Sequence, residues 1–87
     1  MANIKSAMKR AEVIRVRTTR NAAYRSMMKT AIRRFETALK TGDKAKAGVE
    51  LQRAMRTIDK IETKGVIHKN TANRKKSRLA QAFNRAS

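Results

Sequence analysis

Residues 40–65, KTGDKAKAGVELQRAMRTIDKIETKG, decide the fold, because the same punctuation stands at both ends. Gly42 and Gly65 each close a periodic segment just after a lysine (Lys40, Lys64). That is the chemistry of a helix C-terminus: glycine accepts a left-handed conformation, and a cation meets the negative end of the helix dipole. Asp43, directly after Gly42, is placed to cap a new helix by accepting a backbone N–H. Between the glycines Val49, Leu51, Ala54, Met55, Ile58 and Ile61 recur at helical spacing, which predicts a central core helix over about 44–63. Gly48 lies inside it, where glycine costs about 1 kcal/mol relative to alanine; the position reads as a mark of close helix packing.

Upstream of Gly42, the residues Tyr24, Met27, Met28, Ala31, Ile32, Phe35, Ala38 and Leu39 recur every three or four positions. At 100° per residue they occupy roughly 140° of arc, with Arg25, Lys29, Arg33, Glu36 and Lys40 on the other side. This predicts a first helix over about 6–41, amphipathic in its second half. The methionines at this spacing are read as core filler. Followed back toward the N-terminus, the same arc carries Arg10, Arg17 and Arg20, with Val13, Ile14 and Val16 as the only larger apolar residues nearby. Guanidinium groups do not bury against protein unpaired, so this half of the helix is expected to project beyond the bundle. Val13-Ile14-Arg15-Val16-Arg17 has β-like composition but is read as helix from its context.

Downstream of Gly65, Ala72, Leu79, Phe83 and Ala86 fall within about 60° of arc, and Arg74, Arg78, Gln81 and Arg85 within another. A third helix over about 69–85, with one packing stripe and one outward stripe, follows. The chain is therefore expected to be all-α, a three-helix bundle with a long basic N-terminal helix projecting beyond the core. Residues 1–87 form one domain in this reading, an antiparallel hairpin with the third helix alongside.

Charge decides the partner class. The 87 residues contain 23 Lys plus Arg against 6 Asp plus Glu, a net charge of +17. Self-repulsion of that size opposes a compact fold unless a polyanion neutralises it. The charge is unevenly placed: residues 43–64 hold four of the six acids (Asp43, Glu50, Asp59, Glu62) and net only +2, so the other segments carry +15. From Lys5 to Arg34 ten basic residues stand against Glu12 alone, and after His68 six basic residues meet no acid. Pairs of like charge on one helix face are destabilising, so these faces are expected to meet nucleic acid rather than solvent.

Twelve of the cations are arginines, whose planar fork suits bidentate phosphate contact. With only Tyr24, Phe35 and Phe83 as aromatics, at least two of them on core stripes, the chain lacks the stacking platform of single-strand binders. Structured RNA read through its backbone fits better. Thr18, Thr19, Asn21, Ser26, Thr30, Asn70, Asn73 and Ser77 stand among the cations and can donate to phosphate or 2′-hydroxyl.

Enzyme chemistry is not expected. His68 is the sole histidine, cysteine is absent and the carboxylates are scattered, so no metal, cofactor or catalytic site is predicted and His68 is read as a polar residue at a helix start. The absence of cysteine fits a reducing cytoplasm. MANIKSAMKR followed by AEVIRVRTTR never supplies the apolar run of a signal peptide or membrane span, and a soluble, unexported monomer is expected. The alternatives that charge leaves open are a nucleoid-type basic DNA-binding protein and a cationic helix at anionic membranes, the latter disfavoured by the absence of Trp.

The residues MANIKSAMKR at 1–10, Asn21, Arg25-Ser26, Lys29-Thr30, Gly42-Asp43, Gly65-Val66-Ile67-His68-Lys69-Asn70, then Ala72, Arg74, Lys76-Ser77-Arg78-Leu79, resemble one family over essentially the whole chain. The family is the bacterial small-subunit ribosomal protein S-twenty. The resemblance implies a three-helix bundle that binds 16S ribosomal RNA directly, as a cytoplasmic component of the ribosome alongside the other small-subunit components. Carried over by position, the RNA-facing residues it implies are Lys5, Lys9, Arg10, Asn21, Arg25, Lys29, His68, Lys69, Asn70, Arg74, Lys76, Ser77 and Arg78. Arg15, Arg17, Arg20 and Lys75 join them on charge and position. Met8 stands where many members carry another cation, and residues 12–19 match the pattern less closely.

Overall fold

A computed structural model describes residues 2–86; Met1, Ser87 and the side chains of Ala2 and Asn3 lie outside the described residues. Three helices follow one another, α1 (Ala2–Lys40), α2 (Lys44–Thr63) and α3 (Lys69–Arg85). α2 is the element against which both others pack. The all-α architecture is that expected, although α1 begins at Ala2 rather than near Ser6. No glycine or proline interrupts residues 2–6, so nothing stops the helix there.

The two glycine turns form as local chemistry dictates. Gly42 and Gly65 adopt φ of 80° and 78°, the left-handed region that a side chain would strain. At the second turn Gly65 N–H donates to Glu62 O at 2.9 Å and Val66 N–H to Ile61 O at 3.2 Å, the paired bonds of a Schellman ending. Val66, buried to 8 % exposure, is the apolar contact that accompanies it. Asp43 Oδ1 accepts from Lys46 N–H at 3.1 Å, and His68 Nδ1 accepts from Asn70 N–H at 3.0 Å. Both new helices thus start on a side-chain cap.

Phe35, Ile58 and Ile61 are fully buried, with Met28, Ala38, Ala47, Ala54, Val66, Ala72 and Leu79 around them. The α2 seam runs through positions 47, 50, 54, 58 and 61. Val49, expected on this stripe, is 51 % exposed, because it is turned about 200° from Ala47 at 100° per residue. Glu50 occupies the seam position instead and is the buried acid of α2. Met27, also expected inside, is 45 % exposed at the edge of the α1 stripe beside buried Met28. Ala86 is exposed and serves as the α3 C-cap. Gly48 does face Phe83, but a Cβ built there would stand 3.6 Å from Phe83 Cζ, so the approach does not itself demand glycine.

Every described side chain from Ile4 to Arg20 is exposed. At 1.5 Å per residue, α1 is about 58 Å long and α2 only about 30 Å, and the molecule measures 65 × 21 × 13 Å. Its radius of gyration, 17.6 Å, exceeds the roughly 12 Å of a compact chain of this length. The first half of α1 is an arm.

Candidate nucleic-acid interface

The arm carries Lys5, Lys9, Arg10, Arg15, Arg17 and Arg20, all exposed. Helical rotation spreads them over about 220° of circumference, and Ile4, Ala7, Ala11 and Ile14 lie in the remaining stripe. Arg15 Nη2 meets Glu12 Oε1 at 2.6 Å, with side chains 72 % and 60 % exposed, a surface pair that contributes little to stability. The other five cations have no carboxylate partner among the described residues. Aligned amides at the start of α1, with no acid in its first turn, add to the positive field there.

Asn21 marks the boundary between arm and bundle. It is half-buried, and its Oδ1 is enclosed without a hydrogen-bond partner among the described residues. It therefore presents less to a ligand than its sequence neighbourhood implies. Arg25 and Lys29 are exposed on the side of α1 away from the core.

On α3, Asn70, Arg74, Ser77 and Arg78 are exposed and lie within about 100° of arc. Gln81 and Arg85 share that face and were absent from the set expected from sequence, although their arc was visible. Lys69 is exposed beside His68, whose acceptor Nδ1 requires the ring proton on Nε2, leaving a donor on an exposed side chain. Lys75 is half-buried. Lys76 is turned inward: its Nζ donates to Asp59 Oδ1 at 2.7 Å and is the less exposed partner, 28 % against 59 %. It fastens α3 to α2.

The predicted residues thus gather in two places, the arm and the outer face of α3, with Arg25 and Lys29 continuing the basic side of α1. A third basic surface was not foreseen. Between α1 and α2 runs a groove of about 460 Å³ lined by Thr30, Arg33, Arg34, Thr37, Ala38, Thr41, Lys46 and Glu50. Arg33 and Arg34 are adjacent on α1, and the hairpin alone sets Lys46 and Glu50 of α2 beside them. Among the described residues no group of His, Cys, Asp or Glu could hold a metal ion, and no helix is long and apolar enough to cross a membrane.

The model of the family described as Ribosomal protein S20 matches residues 2–84, arm and bundle together. The chain belongs to the ribosomal protein S20 family. Among relatives, the small ribosomal subunit protein bS20 of Moorella thermoacetica is 59% identical over 95% of this chain and 79% of its own length. That of Pelotomaculum thermopropionicum is 58% identical over 98% of this chain and 97% of its own, and that of Desulforamulus reducens 56% identical over 98% and 97%. The S20 family is one of ribosomal structural proteins, not enzymes. The sequence resemblance is thereby borne out, and the charge distribution can be read in the light of that membership.

Proposed function

We propose that the chain is a structural constituent of the small ribosomal subunit, acting on the cytoplasmic ribosome as one rRNA-binding domain spanning residues 1–87. It binds 16S rRNA directly and supports its folding by neutralising phosphates of neighbouring RNA helices that would otherwise repel. The observation that carries this reading is the arm. A helix basic around most of its circumference and exposed over residues 4–20 makes no protein core of its own, and RNA on more than one side neutralises it. Arg74 and Arg78 on α3, one helical turn apart, supply a second contact surface by the fork geometry that suits phosphate. Membership of the S20 family and the names of the bS20 relatives support the subunit assignment.

The test is binding to a 16S rRNA fragment at several salt concentrations, with duplex DNA as competitor. Log affinity is expected to fall linearly with log salt, by about 0.7–0.9 for each phosphate neutralised, and rRNA is expected to resist the competitor. A salt-insensitive affinity contradicts phosphate contact; equal competition by duplex DNA favours a generic DNA-compacting protein.

A further inference from the structure

We propose that the groove between α1 and α2 is an additional RNA-docking site that takes the sugar–phosphate backbone of one strand of the rRNA. In it Arg33, Arg34 and Lys46 hold phosphate and Glu50 accepts a hydrogen bond from a ribose hydroxyl. The inference rests on the rRNA-binding reading and adds a site separate from the arm and the α3 face.

The placement comes first. Glu50 lies about 180° around α2 from Asp59, and Lys46 about 200° from Gly48, at 100° per residue. Asp59 and Gly48 are the residues that meet Lys76 and Phe83 of α3. The groove therefore opens on the side of the hairpin turned away from α3, and no α3 residue lines it. Its volume, about 460 Å³, is that of a ligand-sized cleft.

The lining chemistry selects the occupant. Arg33, Arg34 and Lys46 are exposed and have no carboxylate within ion-pair distance among the described residues. Thr30 and Thr37 make no side-chain hydrogen bond within the protein among the described residues, whereas Thr41 Oγ1 donates to Ala38 O at 2.8 Å. Two free hydroxyls and three cations suit a sugar–phosphate backbone. A site for phosphate alone would have no use for an acid, yet Glu50 sits among these cations, its side chain only 12 % exposed. Arg53 Nη1 donates to Glu50 Oε1 at 3.1 Å, which fixes the carboxylate and leaves Oε2 without a protein donor among the described residues. A carboxylate only accepts, and an RNA strand brings both the phosphates for the cations and the 2′-hydroxyl donors for Glu50.

The test uses the full chain with its 16S rRNA fragment, comparing wild type, the Arg33→Gln/Arg34→Gln pair and the Arg74→Ala/Arg78→Ala pair. Helicity is followed by circular dichroism, which exposed substitutions should leave unchanged. The groove pair is expected to weaken binding by roughly tenfold, to reduce the salt slope by about 1.5, and to abolish protection at nucleotides other than those lost with the α3 pair. Unchanged affinity, slope and protection in the groove pair, while the α3 pair loses affinity, overturns the groove and leaves the rRNA-binding reading standing. Absence of salt-dependent binding by wild type takes down both. Glu50→Ala then tests the acceptor: weaker binding supports it, and tighter binding, as expected for simple removal of a negative charge, overturns it.

Discussion

The two halves of α1 share one continuous helix and differ in everything that surrounds it. From Tyr24 to Leu39 the helix lays a stripe of apolar side chains on α2, with Phe35 fully buried. From Ile4 to Arg20 no side chain is covered, and Ile4, Met8, Ile14 and Val16 stand 55–68 % exposed. The change occurs without a break in the backbone, at Asn21. The contrast separates two tasks along one element: the second half holds the bundle together and the first half carries charge beyond it. Folding stability and RNA affinity should therefore respond to different residues.

The largest effect that could break this comparison lies in the core. Phe35→Ala is expected to lower bundle stability by about 3–5 kcal/mol, because truncating a fully buried aromatic loses its burial and leaves a cavity. That is a large fraction of the stability of a domain this size, and denaturant unfolding would register it; a loss under 1 kcal/mol would remove Phe35 from the role assigned to it. Next comes the outer face of α3, where Arg74→Ala with Arg78→Ala should weaken rRNA binding by at least ~2 kcal/mol while helicity is retained. Unchanged binding would take that face out of the interface. Gly48→Ala is expected to stabilise the bundle by about 0.5–1 kcal/mol. It removes a helix-interior glycine, and the added Cβ meets Phe83 at 3.6 Å, an ordinary contact distance. A loss of stability would show that the α2–α3 approach is tighter than that distance implies. Smallest of all, Ile14→Ala on the arm should change the unfolding free energy by less than ~0.5 kcal/mol, as surface substitutions do. A core-sized loss there would mean that the arm is packed after all.

Much of this was legible in the sequence because it is local. Gly42, Gly65 and Asp43 announce helix ends through their own backbone chemistry, and the arginines on the core arc of the first helix foretell an arm with no partner. Hydrophobicity alone misplaces a residue where period and polarity disagree. Val49 is apolar yet exposed, whereas Glu50 has the spacing of a seam residue relative to Ala47, Ala54 and Ile58 and is buried. Lys76 looked like its exposed neighbours until α3 was set against Asp59. The groove was invisible for a different reason: Arg33, Arg34, Lys46 and Glu50 come together only when two helices are laid antiparallel, which no one-helix wheel displays.

The separation of tasks along α1 is tested most directly by removing the arm's unpaired charge while leaving its helix. A variant with Lys5, Lys9, Arg10, Arg17 and Arg20 all changed to Gln should unfold at a midpoint no lower than that of the parent. Its log affinity for the 16S rRNA fragment should depend on log salt with a slope smaller by about 3.5–4.5. An unchanged slope, or a bundle that unfolds with the loss of these charges, would contradict the account.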